Sequence, residues 1–220
     1  MPSYSRNIKT AVLVGAIALG WSMQSTTAKA RDMQVLTVAG GCFWCVEADF
    51  EKVAGVQEVV SGYTGGTVEN PTYKQVTGGG TGHYEAVEIR YDADQISARQ
   101  LYDLFFRSID PTDAGGQFCD RGESYRTAIF VSDTAEEEQA RAAKADAEAE
   151  LGQSIVTPIL EAGRFYDAEA YHQDYYRSQD RVFTRRGVKT MEEAYKFYRE
   201  ACGRDDRIRQ LWGNDAPFVN

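Results

Sequence analysis

Between residues 37 and 50 the chain reads TVAGGCFWCVEADF, and no other stretch constrains the fold as strongly. A loosely alternating apolar run, QVLTVA over 34–39, ends at Gly40-Gly41. Beyond it Phe43, Val46, Phe50 and Val53 recur at the spacing of one helix face, and Gly55 is the expected stop. A strand therefore turns into a helix within a few residues, with Cys42 and Cys45 at the junction. A thiol at a helix N-terminus meets free N–H groups and the positive end of the dipole, which lowers its pKa. Cys42 has that position and Cys45 lies a turn deeper, so the spacing nominates Cys42 as the attacking sulfur.

A C-x-x-C pair has several possible uses. A structural zinc site needs four ligands, often as two such pairs. Here the other cysteines, Cys119 and Cys202, stand alone, and so do the two histidines, His83 and His172. No metal is expected, and neither histidine is given a catalytic role. A thioredoxin-like oxidoreductase also places C-x-x-C between a strand and a helix, but this pair has neither Pro nor His between the cysteines.

The rest of the chain alternates strands and helices. Residues 56–63 and 84–92 read as strands, separated by a glycine-rich loop over 62–82 that contains Pro71 and Tyr73. That loop lacks the strand–loop–helix setting and the Lys-Ser/Thr of a phosphate-binding loop. Ser97 caps a helix carrying Leu101, Leu104, Phe105 and Ile109, which Asp110-Pro111 ends. RTAIFVS is a strand. Residues 133–151 form an Ala/Glu/Lys-rich helix read as solvated, with Gly152 after it. SIVTPILE is a strand near a sheet edge, because Pro158 cannot donate a ladder bond. The last fifty residues are charged, aromatic and helix-leaning. Several strands are joined by loops rather than crossover helices. The expected fold is α/β (α+β): a two-layer sandwich with a mostly antiparallel or mixed sheet covered by helices, plus an irregular helix-leaning C-terminal tail.

The first thirty residues are a separate object. Arg6 and Lys9 precede a short apolar run, Ala11 to Trp21, and the segment ends in Ala28-Lys29-Ala30. This is the pattern of a secretory signal peptide cleaved after Ala30. The apolar run is too short to span a bilayer, and the alternative is an uncleaved anchor. Cleavage removes three basic residues and no acidic one, so the formal charge moves from −9 to −12. The expected organisation is a leader over 1–30 and one domain over 31–220, with a core over 34–176 and a tail over 177–220. The location is periplasmic or secreted, with no stable membrane insertion after cleavage. An acidic chain without clustered Lys and Arg argues against nucleic acid as the main partner.

Several short motifs, in order, resemble those of the A-type peptide methionine sulfoxide reductases. GCFWCVE (41–47) is similar to that family's active-site motif. GYTGG (62–66), NPTY (70–73), TGHYEAV (81–87), DPT (110–112), SYRTAIF (124–130) and YHQDY (171–175) resemble later blocks. The resemblance implies that Cys42 attacks the sulfur of an oxidised methionine and that Glu85 protonates the departing oxygen. It also implies that Tyr73 and Tyr125 hydrogen-bond that oxygen, that Asp120 is a polar member of the site, and that Phe43 and Trp44 hold the substrate methyl. The S epimer is the expected substrate. Cys42 becomes a sulfenic acid, a second thiol closes a disulfide, and an external thioredoxin-like dithiol reduces it. No bound cofactor is expected, and the partners are oxidised proteins or peptides and that electron donor.

The chain also departs from the family pattern. Cys45 stands where a small residue is common and Cys119 where asparagine is common, and the tail carries the single Cys202. Cys202 is the first candidate for the resolving thiol, Cys45 the second and Cys119 the third. The competing readings are a general periplasmic thiol–disulfide oxidoreductase and a binding module with structural cysteines.

Overall fold

The computed structural model describes Met1, residues 31–214 and residues 216–219. The expected leader lies outside the described residues, save Met1. Strand β1 (Met33–Gly40) leads through Gly41 into helix α1 (Phe43–Phe50), with Cys42 as N-cap. Gly41 is required there. Its φ is +82°, and a Cβ would come within 2.5 Å of Gln117 Cβ.

Strand β2 (Val56–Thr64) follows, then a short helix α2 (Tyr73–Gly78) and strand β3 (Tyr84–Asp92). Helix α2 lies inside the stretch expected to be loop. Thr72 and Gln75 form a capping box across its first turn, a local signal strong enough to order six residues. Helix α3 (Ala98–Ser108) starts at Ser97, whose hydroxyl accepts from the Gln100 N–H. Two short strands, β4 (Gly116–Gln117) and β5 (Asp120–Arg121), form a small hairpin, and β6 (Thr127–Val131) returns to the sheet.

Helix α4 (Thr134–Leu151) is polar outside, but buries Ala140, Ala143 and Ala147. Strand β7 is confined to Ile159–Glu161, and β8 to Tyr166–Asp167. The strand expected over 154–161 therefore forms only after Pro158. The tail is more regular than expected: a hairpin of β9 (Arg181–Thr184) and β10 (Gly187–Thr190), then helices α5 (Met191–Ala201) and α6 (Arg204–Trp212).

Six strands make the main sheet in the order β7-β6-β1-β3-β2-β8. All its pairings are antiparallel except β6 with β7, so the sheet is mixed and the α/β sandwich expectation holds. Pleating sends Leu36, Val38, Val87, Ile89 and Ile129 into one core with Phe43, Val46 and Phe50 of α1 and Leu101, Phe105 and Phe106 of α3. Each such fully buried side chain contributes about 1.5–3 kcal/mol relative to exposure. Glu85 shares the face of Val87 and Ile89. The strand that builds the core thus also brings a carboxyl to the start of α1.

Candidate active site

The first turn of α1 is the centre of the site. Cys42 has non-helical φ and ψ of −53° and 116°, so it stands just outside the helix while the Cys45 and Val46 N–H groups bond back to its carbonyl. Cys42 and Cys45 are both buried free thiols, and Cys42 donates a hydrogen bond to Cys45. Their electrostatics differ from the expectation. Burial pushes Cys42 well above the usual thiol range, and the neighbouring Cys45, Glu85 and Asp120 add to this. Here desolvation outweighs the terminus of an eight-residue helix. Cys45 moves the other way. The bond from Cys42 lowers it first, and the Arg204 and Arg199 guanidinium groups assist against burial. Of the two thiols, Cys45 is therefore the one that ionises more readily.

Glu85 is 1% exposed. Its Oε2 accepts the Phe43 N–H at 3.1 Å, next to Cys42 in the chain. Its Oε1 is buried without a well-formed protein hydrogen bond. Burial pushes the carboxyl up to about 8, Asp120 and Cys45 push the same way, and the Phe43 N–H and the Tyr125 hydroxyl oppose them. Below that pH Glu85 is a neutral acid with a proton to give.

Tyr73 and Tyr125 both feel Glu85, Cys42 and Asp120, and their hydroxyls interact with each other. Burial comes first among the causes that raise both phenols, which keeps them hydrogen-bond donors. Glu169 positions Tyr73, because its Oε1 accepts the Tyr73 N–H at 3.0 Å while Oε2 accepts the Tyr63 hydroxyl at 2.9 Å. Asp120 lies in the same field, held by a hydrogen bond from the Tyr198 hydroxyl. Every residue expected to act on the sulfoxide oxygen is thus gathered around Cys42.

The aromatic wall has a member that the sequence reading left without a role. His172 Nδ1 accepts the Trp44 indole N–H at 3.2 Å. The His172 ring also packs on Phe43 and Tyr73, at centroid distances of 5.1 and 4.3 Å. Burial lowers His172 to about 4, so at neutral pH it is an uncharged acceptor. Trp44 stacks on Tyr175 at 3.8 Å. The 168–175 segment that carries these groups is pinned to the core. Gln173 exchanges two hydrogen bonds of 2.9 Å with Ser61, and Glu47 accepts from Ser61 Oγ at 2.6 Å and from the Asp174 N–H at 2.5 Å. The only sequence hint of this was the YHQDY block itself. His83, by contrast, is a structural residue, taking the Gly66 N–H at 3.2 Å and lying 2.8 Å from the Val68 carbonyl.

The tail covers the thiols from the other side. Tyr195 of α5 packs in one cluster with Cys42, Cys45 and Ala48, and Tyr198 lines it. Arg199 reaches through the tail to Asp49 of α1, Nη1 to Oδ1 at 2.7 Å, with both side chains at most 8% exposed. Cys202, the first sequence candidate for the resolving thiol, is joined to Cys119 in a disulfide. The thiol in contact with Cys42 is Cys45. Two groups of possible metal ligands exist among the described residues. Cys119, Asp120 and Cys202 include the disulfide, and Glu47, Glu51 and Asp174 are already engaged in hydrogen bonds.

Comparison with known proteins agrees with this geometry. The family model described as peptide methionine sulfoxide reductase matches residues 34–206. The peptide methionine sulfoxide reductase MsrA 2 of Rhizobium meliloti is 45% identical over 189 residues, 86% of this chain and 88% of the relative. The MsrA of Bacillus licheniformis is 45% identical over 190 residues, 84% of this chain and 96% of the relative. Among solved structures, reduced Mxr1 from Saccharomyces cerevisiae superposes with a TM-score of 0.63 at 33% identity, covering 67% of this chain and 86% of that one. Methionine sulfoxide reductase A of Corynebacterium diphtheriae gives 0.60 at 33% identity, covering 65% and 73%.

Proposed function

The chain belongs to the peptide methionine sulfoxide reductase family, A type, and reduces methionine sulfoxide to methionine; we propose that it takes the S epimer, with Cys42 as nucleophile and Cys45 as resolving thiol. The observation that carries this is the neutral Glu85 carboxyl, held near 8 and bonded to the N–H of the residue after Cys42. An oxygen that must leave as hydroxide needs a proton donor at that place, and disulfide exchange has no use for one.

The steps follow from the groups present. The sulfoxide oxygen sits between Glu85, Tyr73 and Tyr125, and its methyl faces Phe43 and Trp44. With Cys45 ionised, Cys42 passes its proton along the existing hydrogen bond to the Cys45 thiolate, and the Cys42 thiolate so formed attacks the substrate sulfur. Glu85 gives its proton to the oxygen. The S–O bond of the substrate breaks, the released hydroxide adds to the Cys42 sulfur as the bond between that sulfur and the substrate sulfur breaks, methionine leaves with that electron pair, and Cys42 has lost two electrons as a sulfenic acid. Cys45 then attacks the Cys42 sulfur. A disulfide forms and the hydroxyl departs with the Cys45 proton as water. The two thiols are already joined by a hydrogen bond, and neighbours one turn apart meet the separation a disulfide needs. A thioredoxin-like dithiol returns the two electrons. Cys119, exposed in its bond to Cys202, is where such a partner finds a second disulfide at the surface.

The leader pattern supports export, with a signal peptide over 1–30, a mature domain over 31–220 and a periplasmic or secreted location. Among the described residues no helix is long and apolar enough to cross a membrane.

The test is turnover of a short peptide carrying methionine S-sulfoxide, then its R epimer, with dithiothreitol as reductant. Loss of one oxygen, read by mass, is expected for the S epimer alone and is abolished in Cys42→Ser. Reduction of insulin disulfides with no oxygen loss would overturn the assignment.

A further inference from the structure

An open groove of 580 Å³ lies beside the aromatic wall, between Trp44 and Tyr175 on one side and the β9–β10 hairpin with α5 on the other. No cysteine lines it. Its apolar floor includes Phe197, which is 43% exposed. Its rim carries three exposed cations, Arg185, Arg186 and Lys189. Among the described residues none of the three is ion-paired. Arg186 instead lies over the Phe197 ring at 4.1 Å. Arginines elsewhere on the surface, such as Arg90, Arg99 and Arg121, sit on carboxylates. The one carboxylate in the groove, Glu193, is engaged at the start of α5, where it accepts the Thr190 N–H. A chain of formal charge −9 therefore presents a local positive rim, and presents it next to Trp44.

We propose that this groove is a subsite for the polypeptide around the oxidised methionine and that it selects acidic residues flanking the sulfoxide. The inference rests on the assignment of Trp44 to the sulfoxide pocket. Trp44 is shared by both, so a peptide whose methyl group rests on one side of the indole continues directly into the groove. An extended chain advances about 3.3 Å per residue, so the residues flanking the sulfoxide are the ones that enter a groove sharing Trp44 with the pocket. Apolar walls then take the backbone and aliphatic parts, while Arg185 and Lys189 meet carboxylates. An acidic electron-donor protein fits the charge as well. It would need to approach a disulfide, however, and the groove borders the methyl pocket and contains no sulfur.

The experiment compares three S-sulfoxide substrates with dithiothreitol as reductant: blocked methionine sulfoxide, a peptide with two Asp beside the sulfoxide, and the same peptide with two Lys. At low salt the wild type should favour the acidic over the basic peptide by roughly 3- to 10-fold in kcat/KM, the range expected of two exposed ion pairs. The preference should shrink in 0.5 M salt, where charges are screened within about 4 Å. The double variant Arg185→Glu/Lys189→Glu, on the exposed hairpin, should reverse it. Equal rates for the two peptides, or a preference that survives the reversal, would overturn the inference. If the reversal instead lowers turnover only when a thioredoxin replaces dithiothreitol, the groove receives the reductant and the inference also falls. Failure of the wild type to reduce even the blocked amino acid would remove the reductase reading itself, which the other outcomes leave standing.

Discussion

Glu85→Gln tests the site through stability and rate together. The glutamine keeps the shape and can still accept the Phe43 N–H, but it cannot titrate. In the wild type the carboxyl moves from its ordinary 4.5 to about 8 because it is buried. At about 1.4 kcal/mol per pH unit that displacement corresponds to about 5 kcal/mol. Between those values the folded protein holds a proton that the unfolded chain has released. Raising the pH through this window therefore favours unfolding. Integrated from pH 5 to pH 9, this one group removes about 4 kcal/mol from the wild type. Glu47, raised by burial to about 7, acts in the same direction, but equally in both proteins. The unfolding free energy of the variant minus that of the wild type, measured in urea, should thus grow by about 4 kcal/mol between pH 5 and pH 9. The same substitution removes the proton donor, so kcat/KM for an S-sulfoxide peptide at pH 7 should fall roughly 10²- to 10⁴-fold. The decline of wild-type kcat/KM above pH 8 should vanish in the variant. Parallel stability–pH curves for the two proteins would refute the claim that Glu85 is neutral in the fold. An unchanged rate would refute its role as acid.

Three further outcomes are expected. Without reductant, Cys45→Ser should release one methionine per chain and retain a Cys42 sulfenic acid that dimedone traps, whereas the wild type should end with a Cys42–Cys45 disulfide; a Cys42–Cys202 bond in the wild type would show the tail to be the resolver. His172→Ala removes the acceptor for the Trp44 indole and should lower kcat/KM about 5-fold, the equivalent of one hydrogen bond near 1 kcal/mol, mainly through KM. Gly41→Ala places a methyl 2.5 Å from Gln117 Cβ at positive φ and should destabilise the protein by about 1–3 kcal/mol in thermal or urea unfolding, with no effect expected from the same change at Gly78, where no atom lies within 4 Å.

Much of the site was legible because it is encoded locally. The period change across Gly40-Gly41 placed Cys42 at the head of α1, and the alternation over 84–92 put Glu85 on a strand. Where the reading failed, the cause was a competing local or long-range term. Helix α2 was hidden by its glycines, although Thr72 and Gln75 carry its capping box. The hairpin over 181–190 is short and charged, so its alternation was weak against the helical bias of the tail. The pKa of Cys42 was read from its helix terminus, while burial by α5, far along the chain, sets the direction. The Cys119–Cys202 pairing spans 83 residues, and no spacing rule could choose it over the alternatives. His172 is 128 residues from the indole it orients.

The ion pair between Arg199 and Asp49 makes the tail part of the catalytic helix rather than an appendage to it. Asp49 follows Cys45 by one turn on α1 and is fully buried. Burial raises its carboxyl above the ordinary range, and Arg199 and Arg204, which the tail brings to it, oppose that rise. A chain shortened before α5 would keep every residue assigned to the chemistry, but would strip Asp49 of both guanidinium partners and uncover the face of α1 that the tail buries. What such a minimal version loses is the lid over the two thiols, and with it the burial that sets the direction of the Cys42 shift. The tail therefore tunes the ionisation of the site without supplying an atom to the reaction.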